Sequence, residues 1–202
     1  MAKQKPMSAA ELIARLEKDP EFQEKMRIKE ENRVAIEIKN RFEETSLVKE
    51  LQDAGVIVEV NSIPSKEYVG LPRSISDLVN TRRRYPTAIP VLLKHLQIEY
   101  SQDIKESIVR ALMTPDSRGI AFGPLVKLFK DTTDSESQLK WAIGAAIAET
   151  AEEADIDEII ELTNDQKHGQ GRAELPLALI NMQNQKAIPI LEIWSTDPIV
   201  GN

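Results

Sequence analysis

Lys105, Lys140 and Arg172 recur in register, 35 and then 32 residues apart, and Arg73 stands 32 residues before Lys105. If the intervening chain folds into repeated units, such residues stack one above another. As an open row they would make an electropositive groove for an acidic peptide or a phosphate. As junction residues they would lay their stems over apolar surface and reach an acidic or carbonyl partner in the next unit. The densest basic run, Arg82-Arg83-Arg84 followed by Tyr85, has the residue types that contact a phosphate backbone and equally those of a solvated patch. Arg110, and Trp141 beside Lys140, complete a candidate binding set of Arg73, Arg82, Arg83, Arg84, Lys105, Arg110, Lys140, Trp141 and Arg172.

Other chemistries lack their residues. The chain has no cysteine, which removes disulfides, thiolate catalysis and thiolate metal ligation. Its two histidines, His95 and His168, are 73 residues apart, and neither has a second histidine at ligand spacing. Asp131 to Ala142 lacks the sixth-position glycine and terminal glutamate of a calcium loop. The acidic run Glu149, Glu152, Glu153, Asp155, Asp157, Glu158, Glu161 reads as a solvated face. Gly169-Gln170-Gly171 lacks the third glycine of a dinucleotide loop and reads as a helix-to-helix turn. Neither a Gly-x-Ser-x-Gly elbow nor a phosphate-binding loop occurs. No catalytic, cofactor-binding or metal-ligating residue is assigned, and a non-enzymatic role is expected.

The balance of charge is uneven. Residues 1–60 hold 11 basic and 13 acidic groups, 61–130 hold 11 and 6, and 131–202 hold 4 and 14. A basic middle and an acidic end argue against a long duplex lying along the whole molecule, because the last third would repel phosphates. With 41% apolar, 29% charged and only 4% aromatic residues, the chain suits helix-on-helix packing. No leader-like or membrane-spanning apolar run is found, so a cytoplasmic protein without a membrane partner is expected.

Amphipathic helices must position these groups. Ser8-Ala9-Ala10-Glu11 is a capping-box pattern that opens a short helix through Leu16. Asp19-Pro20 caps a second helix that nothing interrupts before Gly55, so one helix of over thirty residues is expected. Its stripe of Phe22, Met26, Val34, Ile38, Phe42, Leu47, Val48 and Leu51 is broken by Glu30-Glu31-Asn32-Arg33. The C-terminal turns therefore read as packed, and the middle as solvated or paired with something outside the chain, either as a projecting cap or as a docking or homo-oligomerisation arm. Residues 1–55 are taken as this charged arm, 56–72 as a connector whose Val56 to Val60 has strand character, and 73–202 as the main domain.

From Pro86 onward helices recur in pairs at a pitch of about 34 residues. First helices are expected near 87–96, 123–130, 156–163 and 187–194, and second helices near 102–113, 137–150 and 172–182. The second-helix stripes are Ile104, Ile108, Ala111, Leu112; Leu139, Ile143, Ala146, Ile147; and Leu175, Ala178, Leu179, Met182. Pro90, Pro124 and Pro189 fall in first turns, where a missing N–H breaks no helical bond. One period before Leu112 lies Leu78, so Ser74 to Thr81 reads as the second helix of a degenerate leading unit, with the end of the long helix as its first.

Ala88-Ile89-Pro90-Val91-Leu92-Leu93, Pro124 to Asp131, Ala187 to Leu191, and the Ile104-Lys105 and Leu139-Lys140 steps resemble HEAT-like repeats, over about residues 86–202. The resemblance implies an all-α fold, an α-solenoid of HEAT-like helical hairpins whose second helices line the concave face, led by a long N-terminal helix. Members of such families mostly bind proteins, and a few act on nucleic acid or on tetrapyrrole-carrying proteins. The chain is accordingly expected to be an interaction or scaffolding module for an unidentified protein partner. The alternative is a nucleic-acid-binding or DNA-glycosylase-like protein with a basic concave face, for which the short stretch at Trp141 is the nearest match. Continuous positive potential around Arg82, Arg110, Lys140 and Arg172 would favour the alternative, whereas mixed charge with exposed apolar residues would favour a protein partner.

Overall fold

The computed structural model describes residues 8–56, 74–79, 84–182 and 187–201, and within these the regular structure is entirely helical. Arg73, Arg82, Arg83 and all of the connector but Val56 lie outside the described residues, as does the rest of the strand-like Val56 to Val60 run.

The chain begins with α1 (Ala9–Leu16), closed by the expected capping box: the Glu11 N–H donates to Ser8 Oγ and the Ser8 N–H to Glu11 Oε2. Asp19 then caps α2 (Pro20–Glu43) through the Glu21 and Phe22 N–H groups, with Pro20 in its first turn. The expected single helix to Ala54 is divided at Glu44, and α3 (Thr45–Asp53) follows. The division has a tertiary cause. Glu44 is buried, its Oε2 accepts the N–H of Ile75 at 3.2 Å, and the Thr45 hydroxyl donates back to the Arg41 carbonyl, a contact that bends helices. The bend puts Leu47 and Leu51 into the core, while Phe42, expected to be packed, is 59% exposed. A Schellman motif ends α3: the N–H of Gly55, at φ +78°, donates to the Gln52 carbonyl and that of Val56 to Leu51.

After α4 (Ser76–Val79), the helices pair: α5 (Ile89–His95) with α6 (Gln102–Ala111), α7 (Phe122–Asp131) with α8 (Ser137–Thr150), and α9 (Ile156–Asn164) with α10 (Pro176–Asn181), before the last helix, α11 (Ile188–Trp194). The second members also pack in sequence, α4 on α6, α6 on α8 and α8 on α10, and α3 packs on α5 as a leading first helix would. The expected stripes are the core: Ile104, Ile108, Leu112, Ile143, Ile147 and Leu179 are each at most 1% exposed, and so is Leu78, one period before Leu112. Burial of each such side chain contributes about 1.5–3 kcal/mol of transfer free energy. Trp194 is buried as well, its indole N–H donating to Asn164.

The Gly169-Gln170-Gly171 turn is pressed against α8. Gly169 has φ +45°, a conformation that favours glycine. A Cβ on Gly171 would come within 2.8 Å of Lys140 Cγ, and one on Gly144 within 2.4 Å of the Gly171 carbonyl oxygen. These glycines therefore set the distance between the α9–α10 connection and the face of α8 that carries Lys140.

Candidate functional site

Lys105 on α6, Lys140 on α8 and Arg172 just before α10 stand about one period apart in sequence, and their burial differs. Lys105 is half-buried, with no ion-pair partner among the described residues. Lys140 is 4% exposed, its ammonium 5.5 Å from the centre of the Phe129 ring, because the Gly171 turn covers its stem. Arg172, also 4% exposed, lies in the short turn (Gln166–Arg172) ahead of α10. Its Nη1 donates to the Thr163 carbonyl at 2.8 Å and to Asp197 Oδ2 at 3.1 Å. Arg172 thus ties the end of α9 to the turn after α11, the kind of contact expected of a cation at a unit junction. Asp197 also accepts the N–H groups of Ile199 and Val200, and these bonds, ahead of Arg172, hold its carboxyl below the usual range.

Of the other described cations of the basic middle, all but the exposed Lys127 are matched by neighbouring acids. Arg84 pairs with Asp116, Lys94 with Glu50 at 2.7 Å, and Lys130 with Glu158 at 2.6 Å. Arg110 donates to Glu106 at 2.8 Å, one turn back on α6. The uneven charge along the chain is in this way partly cancelled in space, basic residues of one unit meeting acidic residues of the next.

Arg110 has a second contact. Its guanidinium lies 5.9 Å from the centre of the Trp141 ring, and the Trp141 indole N–H donates to Glu174 Oε1 at 3.0 Å. Glu106, Arg110, Trp141 and Glu174 form a continuous line across α6, α8 and the approach to α10, which fixes the indole plane while 36% of the residue remains exposed. Met113, just after α6, and Leu177 and Ile180 on α10 are exposed too. Along α8, Ala145 and Glu149 follow Trp141 at four-residue intervals on the same face. Glu149 opens into a cleft of about 200 Å³ lined by Arg118, Glu152, Glu153, Asn181 and Met182. Within the cleft Arg118 lies 3.5 Å from Glu149, which leaves Glu152 and Glu153 to give it a negative cast. The face therefore runs from an aromatic and apolar end to an acidic one.

The sequence reading found Trp141 and Arg110 but not Met113, Leu177, Ile180 or Glu174. The 33-residue spacing of Trp141 and Glu174 was the available signal, since it is nearly one repeat. The histidines occupy separate places, His95 with its Nδ1 2.8 Å from the Tyr100 hydroxyl, and His168 against Phe129 with ring centres 4.8 Å apart. Among the described residues no three acidic or histidine side chains gather as metal ligands would, and no helix is long and apolar enough to cross a membrane. No family model matches the chain, nor does any curated protein or solved structure.

Proposed function

We propose that the chain is a HEAT-like α-solenoid protein, without catalytic chemistry of its own, that docks a protein partner on the face made by α6, α8 and α10. The observation that carries this reading is Trp141, held between Arg110 and Glu174 while 36% exposed, on a group of helices that also leaves Met113, Leu177 and Ile180 exposed. A tryptophan with its rotamer already fixed loses little entropy on binding, and Trp and Arg are the residues most enriched among energetic anchors of interfaces. The acidic cleft at Glu149 and Glu153 complements a basic residue of the partner beside the apolar ones that cover Trp141.

Mixed charge with exposed apolar side chains supports a protein ligand over a nucleic acid. Arg84, Arg110 and Arg172 each have an acidic partner, and Lys140 is buried. A phosphate backbone would have to displace those acids, at the cost of leaving them near its own charge. The test compares wild type with a Trp141→Ala, Leu177→Ala variant as bait against lysate of the source cells, alongside short single-stranded and duplex DNA over a salt series. A partner retained by wild type and lost by the variant is expected, with no salt-sensitive DNA binding. DNA binding at low salt that a Lys105→Gln, Lys140→Gln, Arg172→Gln variant loses would overturn the reading.

A further inference from the structure

The N-terminal arm carries an apolar line that the rest of the described chain leaves uncovered. From Pro20 to Arg33 every residue of α2 except Phe22 is exposed, and the helix enters the body through Val34, Glu37, Ile38, Arg41 and the adjoining Glu44, with Asn40 donating to Asp103 and Glu43 accepting the Ser101 N–H beside them. At about 100° per residue the first five share one side. On another side stand Ile28, Ala35 and Phe42, seven residues apart, with Ile28 46% and Phe42 59% exposed and Ala35 exposed as well. Apolar residues at seven-residue intervals drift by only ~20° per step, so these three keep to one narrow seam along the helix. A small residue sits in the middle of this line and large ones at either end, about 10 Å away on each side at 1.5 Å per residue.

The charges of α2 indicate what covers the seam. Six acidic and six basic residues leave the helix neutral, which selects neither a basic nor an acidic partner. Laid antiparallel on a second copy about a twofold at Ala35, the line becomes self-complementary: Ile28 of each copy meets Phe42 of the other, and Ala35 meets Ala35. The same register brings Lys39 level with Glu31 across the interface, once on each side of the twofold, so opposite charges meet there. A parallel in-register pair would instead set Lys25 on Lys25 and Lys39 on Lys39.

We propose that α2 pairs antiparallel with α2 of a second copy of this chain, about Ala35, to form a twofold dimer. Such an interface is isologous, each copy contributing the same surface. It is independent of the partner-docking reading, which does not involve the arm.

The absence of cysteine makes the test direct. Sedimentation of the full chain at micromolar concentration should give twice the 22.7 kDa of one chain. An Ile28→Lys, Phe42→Lys variant should sediment as a monomer with unchanged circular dichroism, and retain whatever partner the Trp141 face binds. Under mild oxidation Ala35→Cys should cross-link to itself. Ile28→Cys and Phe42→Cys should cross-link only when mixed. A monomeric wild type, a double-lysine variant that stays dimeric, or Phe42→Cys cross-linking to itself would each overturn the proposal.

Discussion

Arg27 on the arm and Arg172 in the body are both arginines held by carboxylates, and they differ in nearly everything else. Arg27 pairs with Glu24 and Glu31 within its own helix, and all three side chains are more than half exposed. The Arg172 side chain is 5% exposed and joins segments that are 9 and 25 residues away in sequence. The first arrangement is available to any helix with acids three or four residues from a base, and water solvates either state of it equally well. The second exists only when α9, the turn before α10 and the turn after α11 are assembled. An ion pair therefore reports tertiary structure in the body and only helix propensity in the arm.

The comparison breaks first if Arg172 is dispensable. Arg172→Ala removes the buried guanidinium from the Thr163 carbonyl, which is left without that donor, and from Asp197, which keeps the Ile199 and Val200 N–H groups, and should lower stability by about 2 kcal/mol. Arg172→Lys should restore only part of this, because a single ammonium lacks the fork that serves both acceptors. Urea unfolding monitored by circular dichroism measures both variants, and a loss within error of zero for Arg172→Ala would show that the pair is an open one after all.

Glu44, at the joint between the two regions, gives an intermediate effect with a definite sign. Burial is the main cause that pushes its carboxyl up from 4.5 to about 7, against hydrogen bonds from Ser74 and Ile75 and the nearby Arg41, with Glu37 adding to the rise. Its Oε1 is buried with no hydrogen-bond partner among the described residues. Between those two values the folded chain keeps a proton that the unfolded chain has released. Stability should fall as pH rises across that window and then level off, by on the order of 3 kcal/mol if the whole shift is realised, less any relaxation of the joint. Glu44→Gln, neutral throughout, should lose that slope and be the more stable protein at pH 8, with little difference at pH 4.5. Equal pH profiles for the two would mean that the carboxyl is solvated and that something else bends the helix at Glu44.

How far the sequence could be read follows the same division between local and distant causes. Ser137 to Thr150 is legible to the residue because its stripe, Leu139, Ile143, Ala146 and Ile147, is also its buried face. The break at Glu44 is not, because residues 40–50 hold no glycine or proline and the group that bends them, the Ile75 N–H, lies 31 residues away. Lys105 and Lys140 occupy the same register, yet only Lys140 is buried. The difference comes from Gly171, whose lack of a side chain lets a turn close over the lysine stem. Periodicity thus placed the helices and the candidate rungs. It could not say which rungs a neighbouring turn would cover, nor that Trp141 would sit between Arg110 and Glu174.

The smallest expected effect belongs to the arm. Arg27→Ala removes both of its ion pairs, but the guanidinium and its partners remain hydrated either way, and alanine is the better helix former at an exposed site. The urea midpoint of the body should stay where it is. Because Arg27 flanks the proposed α2 seam, the same substitution belongs in the Ile28→Lys, Phe42→Lys background as well, where only one copy is present. A midpoint unchanged in both backgrounds means that the arm and the body unfold as separate events. A midpoint that moves in the wild-type background alone would mean that the arm's charges are felt across the seam. A midpoint that moves in both would place the exposed half of α2 against the body and remove the contrast with Arg172.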